Sequence, residues 1–265
     1  MVKKSEAVSQ GLIDSKVEMT KEQRKIALAN TSYKSVLSNT RGIFGFLSLI
    51  MGLLLWTKID TTLEPKLRED FGYSPSIVSL FYTIQFVGYL IVSPFCHKIL
   101  EKYDGTLLTV LSFFVLGTAS FLIGPSYLLA NYLPNTISVM IPGLFLTGLA
   151  TSFTTIGTYG EMYEPFIELY GCENASSYSN AHALYDKDKL GDILAGLYNG
   201  GYSIGVIIGP FAASYLMIWL DGSFRKQSDV FAVLTLVFGV VMLCVVYIPK
   251  RIKASKKKLA ADQSD

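Results

Sequence analysis

Charge is what this chain has least of. Only 17% of its 265 residues are Asp, Glu, Lys or Arg, while 51% are hydrophobic; an ordinary soluble domain is about a quarter charged. The shortage is uneven. From Gly105 to Gly160, 56 consecutive residues include none of the four charged types. A soluble fold cannot keep such a segment in water, so the chain reads as an integral membrane protein whose first partner is the lipid bilayer. Cysteine and histidine are scarce too. Cys96, Cys172 and Cys244 are far apart, no Cys-x-x-Cys pair occurs, and the histidines are His97 and His182. That pattern excludes a disulfide scaffold and argues against a zinc site. With neither a nucleophile–base pair nor a metal-ligand cluster, the chain is not read as an enzyme and no cofactor is expected. The net charge of +2 points to no nucleic acid, because the basic residues flank apolar runs instead of forming a face. Residues 1–40 hold no long apolar core, so no cleavable signal peptide is expected and the first apolar span is expected to direct insertion.

The apolar residues fall into six runs, each near the length of about 20 residues that a helix needs to cross a bilayer. They cover Gly42 to about Thr62, the segment from the turn Phe71-Gly72-Tyr73-Ser74-Pro75 to Cys96, Thr106–Ala130, Ile137–Gly160, Ile193–Leu220 and Val230–Pro249. The uncharged stretch is divided by Asn131-Tyr132-Leu133-Pro134-Asn135, residues suited to a turn at a membrane surface. The runs are continuous instead of alternating and too long for barrel strands, and backbone hydrogen bonding in lipid then requires helices. The fold class expected is all-α, a bundle of six transmembrane helices over 41–250. It is preceded by a polar linker over 1–40 and followed by a basic tail over 251–265. Within the linker, Thr20-Lys21-Glu22-Gln23 fits a capping box opening a short basic helix to about Ala29.

Six spans put both ends of the bundle on one side. That side collects the eight basic residues from Lys3 to Arg41, then Lys98, Lys102, Lys187 and Lys189. Six more follow in the tail: Lys250, Arg251, Lys253, Lys256, Lys257 and Lys258. The other side collects Lys58, Lys66, Arg68, Arg225 and Lys226. The positive-inside rule then expects cytoplasmic termini; which cellular membrane holds the chain is left open.

The most specific pattern lies in the fifth span. Gly196, Gly205 and Gly209-Pro210 are spaced by eight and three residues, and small residues Ala213-Ser214 follow two positions later. Gly201, Gly205 and Gly209 also form successive small-xxx-small steps that suit close helix packing. This pattern resembles the antiporter signature G-x8-G-x3-G-P-x2-G-G of the major facilitator superfamily. After the second span, Ser93-Pro94 and Glu101-Lys102 resemble that family's S-P-x-x-G-x-x-x-D-K segment, with His97 in place of the glycine. Leu63-Glu64-Pro65, Phe71-Gly72 and Ser74-Pro75 resemble the segment after the seventh helix in the vesicular amine and polyamine transporter branch.

The resemblance implies a C-terminal six-helix half of such a transporter, with alternating access coupled to protons or another ion. Its small-molecule substrate would be an organic cation or amine. The partner would be a second six-helix half, encoded upstream in the same gene, carried on a separate chain or supplied by a homodimer. Glu101 and Lys102 take the role of the cytoplasmic loop latch, and Gly196, Gly205, Gly209 and Pro210 that of a helix-packing and gating motif. The resemblance also places the almost uniformly apolar third and sixth helices outermost, facing lipid.

Polar residues inside a span tend to face a cavity. The candidates are Trp56 and Asp60 in the first span, Tyr82 and Gln85 in the second, Thr154, Thr155 and Tyr159 in the fourth, and Tyr198 and Asn199 in the fifth. Aromatic rings beside hydroxyls and amides suit an organic cation. The plainer alternative is that threonines bond back to their own helix and tyrosines sit at interfaces. Asn199 stands where vesicular monoamine transporters carry an acid, a departure shared with the polyamine-type relatives. A rival from another class is a non-transporting membrane subunit or scaffold derived from a transporter half, which His97 in the loop segment favours.

Overall fold

A computed structural model describes residues 30–168 and 187–262. The basic helix expected near Thr20–Ala29 lies outside them, as does Cys172. The described residues are all-helical: α1 Tyr33–Ser38, α2 Thr40–Phe71, α3 Pro75–Lys102, α4 Gly105–Ile123, α5 Ile137–Glu168, α6 Lys187–Trp219, α7 Phe224–Met242, a π-helical turn Leu243–Tyr247, and α8 Ile248–Asp262. Six helices are long and apolar enough to cross a membrane: α2 to α6, and α7 continued through the π turn into α8. The protein is an integral multi-pass membrane protein built as a six-helix bundle.

The helices outrun the apolar runs that announce them, and polar contacts set their ends. α2 continues past Thr62 to Phe71, carrying Pro65 inside it. Ion pairs Lys66–Asp70 and Glu64–Arg68, each one turn apart, brace this polar extension. It stops at Gly72, whose φ of 67° is left-handed and whose N–H caps the Arg68 carbonyl. α7 begins at Phe224, ahead of the expected Val230, because Ser223 accepts from the Lys226 N–H as N-cap. α4 ends at Ile123, earlier than expected. Pro125 disfavours helix in the residue before it, and 124–136 becomes a string of turns. Near the far end of the bundle, Pro249 has no N–H to continue the ladder, and a π turn lies just before it. The tail expected after 250 is helical as far as Asp262.

Packing is pairwise. α2 lies along α6, α3 along α5, α4 between α5 and α7, and α2 also crosses α5. Glycines permit two of these approaches. A Cβ on Gly209 would run into Thr57 and the Leu54 backbone of α2, and one on Gly148 would collide with the Gln85 carbonyl of α3. The fifth-span pattern is thus spent largely on α2: Gly201 meets Phe46 and Leu49, and Gly205 meets Ile50 and Leu53, while Gly196 meets Tyr33 of α1. Three apolar clusters stack along the bundle, around Ile59 and Leu144 at one end, Phe113 and Phe231 in the middle, and Met162 and Leu194 at the other.

Within the six-helix bundle the third helix is packed more deeply than its uniform apolarity announces. α4 buries 56% of its apolar stretch, against 22% for α3 and for α6. Composition misleads here because lipid and bundle interior are equally apolar. The informative feature is the run of small residues Ser112, Gly117, Ala119 and Ser120, all buried.

Candidate functional site

A cavity of about 600 Å³ opens where α3, α4, α5 and α6 converge. Four of the nine expected cavity residues line it: Thr155, Tyr159, Tyr198 and Asn199. Tyr159 stacks on Tyr163 with ring centroids 6.4 Å apart. The Thr155 hydroxyl donates to the Thr151 carbonyl of its own helix at 2.8 Å. Glu161 and Glu164 complete the polar part of the lining.

Both carboxylates are engaged. Glu161 is buried, with Arg41 donating to it at 3.3 Å and the Thr106 hydroxyl at 2.5 Å. Glu164 accepts from Arg41 at 2.5 Å and from Lys250 at 3.1 Å. Lys250 also donates to Asp104 at 3.0 Å and to the Thr106 hydroxyl at 2.8 Å. Asp104 is the N-cap of α4. Its burial pushes the carboxyl up, but the Lys250 hydrogen bond and charge, together with the Thr106 N–H, outweigh that and hold it below its ordinary value. Two cations and three carboxylates therefore tie α2, α4, α5 and α8 at one end of the bundle. Arg41 and Lys250 meet on the same carboxylate, so the two ends of the bundle's chain lie on the same side, as an even number of crossings requires.

The other five candidates lie elsewhere. Trp56 is set edge-on to Phe86 and Tyr89, with centroids 5.1 and 5.8 Å away. Asp60 is exposed, and its backbone carbonyl accepts from the Tyr82 hydroxyl at 3.2 Å. Gln85 is buried with its amide nitrogen unpartnered. Thr154 is buried against Gly52 and bonds back to the Thr151 carbonyl. Lys102 sits over the Tyr103 ring at 5.6 Å, at the end of α3. The Glu101 side chain falls outside the described residues. Among those residues, no group of three or more His, Cys, Asp or Glu side chains is placed to hold a metal ion.

One basic residue counted on the far surface is in fact interior. Lys58 is 3% exposed, donates to the Ser120 hydroxyl at 3.3 Å and lies 4.5 Å from the centre of the Phe231 ring. Its place in the first apolar span, three residues past Leu55, was the available signal. The Arg41–Lys250 cluster could not be assembled from the sequence, since its members are scattered from α2 to α8. No protein-family model matches the chain, and no curated protein matches it.

Proposed function

We propose that this bundle is one half of a secondary transporter of the major facilitator type, with α2 to α7 as helices seven to twelve. The observation that carries the reading is an exchange in the packing. Swapping first with fourth, second with fifth and third with sixth helices turns the α2–α6 contact into the α5–α3 contact. The same swap leaves the α2–α5 and α4–α7 contacts unchanged. That is the relation expected of two inverted three-helix repeats nested in one half. The α4–α5 contact departs from it, because its counterpart between α2 and α7 is slight. The exposed apolar faces of α3 and α6, including Leu90 and Ile207, suit a second six-helix half. The cavity rings and amide suit a small organic cation or amine, moved by rocking of the halves and coupled to protons or another ion. Both termini then face the cytoplasm, where Arg41 and Lys250 lie.

Two measurements test this. Cysteines introduced at Leu90 and Ile207 should crosslink to a second six-helix bundle in native membranes. Proteoliposomes carrying both halves should accumulate radiolabelled polyamine under a pH gradient, and Tyr198→Ala should reduce the uptake. Absence of both a six-helix partner and pH-driven flux sinks the proposal. A non-transporting subunit is the second reading, favoured because Arg41 and Lys250 already occupy the cavity's carboxylates. It predicts a crosslinked partner without flux.

A further inference from the structure

At the opposite end of the bundle, α7 presents a second concavity, a groove of about 520 Å³ on its outer face. The groove is two-part. Val230, Val233, Leu234 and Val237 form an exposed apolar strip running about 10 Å along the helix at 1.5 Å per residue. Its upper end is formed by Lys226, Asp229 and the turn residues Tyr127 and Leu128. This head is rigidly built. Arg225 donates to the Pro125 and Ser126 carbonyls at 2.5 and 3.0 Å, and one Asp229 oxygen, Oδ2, accepts the N–H groups of Tyr127 and Leu128 at 2.9 and 3.1 Å.

The other Asp229 oxygen, Oδ1, has no hydrogen-bond partner, although the residue is only 5% exposed. A buried carboxylate oxygen without a donor is costly and marks a site for one. The Lys226 ammonium lies over the Tyr127 ring, 5.6 Å from the centroid, and Lys226 lines the same groove as Asp229. A carboxylate oxygen lacking a donor, an ammonium lining the same groove and an apolar strip descending into the bilayer together describe the complement of one kind of molecule.

We propose that this groove holds a phosphatidylethanolamine-type phospholipid. Its primary ammonium donates to Asp229 Oδ1, its phosphate meets Lys226, and an acyl chain lies along the Val230–Val237 strip. A choline headgroup lacks the N–H that Asp229 needs, and a glycerol headgroup lacks the positive charge. The proposal concerns a lipid at the rim of the bundle and owes nothing to transport through it.

The test uses the full chain purified in detergent and offered an equimolar mixture of phosphatidylethanolamine, phosphatidylcholine and phosphatidylglycerol with identical acyl chains. Retained lipid is read by native mass spectrometry. Wild type should retain the ethanolamine lipid about tenfold over the choline lipid, the value of one charge-assisted hydrogen bond. Asp229→Asn keeps an acceptor for the Tyr127 and Leu128 N–H groups but loses the charge, and should bring that ratio close to one. Lys226→Met, which leaves the Arg225 and Asp229 hydrogen bonds to the loop in place, should lower retention of all three lipids together. Equal retention by wild type, an ethanolamine preference that survives in Asp229→Asn, or unchanged retention in Lys226→Met would each overturn the proposal.

Discussion

Lys58 offers the sharpest test of how this bundle tolerates polarity. Its ammonium is buried among α2, α4 and α7 with two neutral partners, the Ser120 hydroxyl and the Phe231 ring. A lysine at the centre of a membrane helix costs about 2.5–3.5 kcal/mol on insertion scales. The charged hydrogen bond returns about 1.5 kcal/mol at its 3.3 Å length, taking the low end of the usual range. The desolvated cation–ring contact returns about 2 kcal/mol. The two sides nearly cancel, so Lys58→Met, which keeps the stem and its packing, should change folding free energy by less than about 1 kcal/mol. Ser120→Ala in wild type should cost about 1–2 kcal/mol by stripping the ammonium of its acceptor, and almost nothing in the Lys58→Met background. Reversible unfolding in mixed SDS micelles, followed by tryptophan fluorescence, measures all four corners of the cycle. A loss above about 3 kcal/mol for Lys58→Met, or zero coupling between the two sites, would refute the account of Lys58 as a near-neutral passenger in the fold.

Three further outcomes follow from contacts already described. Gly148→Leu drives a side chain into the Gln85 backbone and should destabilise by about 3 kcal/mol or more, while Gly160→Ala, with open space at its Cβ, should be neutral or stabilise by up to about 1 kcal/mol; thermal unfolding in detergent distinguishes them. Asp104 has its carboxyl held below the ordinary value, so the stability it shares with Lys250 is complete above that ordinary value. It is lost as pH falls through the folded one. The melting temperature of wild type should therefore drop on acidification by more than that of Asp104→Asn. Arg225→Met removes the hydrogen bonds to the Pro125 and Ser126 carbonyls, and hydrogen exchange over 124–136 should accelerate about tenfold.

The six spans were legible because each contains an uninterrupted apolar stretch, which no other element tolerates. Their ends were not, because hydropathy is blind to what stops a helix. The polar extension of α2 is held by Lys66–Asp70 and closed by Gly72, and the polar first turn of α7 by the Ser223 cap. The place of α4 was illegible for a different reason: an apolar residue is equally at home against a neighbouring helix and against an acyl chain. Within the cavity, Thr155, Tyr159, Tyr198 and Asn199 could be named from their polarity in apolar surroundings. Which of the nine candidates meet could not, since that depends on how the helices pack and on which face of its helix each residue occupies. The pairing of Glu164 with both Arg41 and Lys250 depends on the assembled bundle alone.

That shared carboxylate bears on how the protein is made. A ribosome delivers Arg41 with the first span and Glu164 with the fourth, but Lys250 emerges only behind the sixth. Until then Glu161 and Glu164 have Arg41 to pair with, while Asp104 caps α4 without Lys250. The last helix brings the second cation, and with it the neutral threonine bridge through Thr106. The cluster that ties α2, α4, α5 and α8 therefore closes only once the final span is in place, and its ion pairs through Lys250 join the last helix to earlier crossings of the chain.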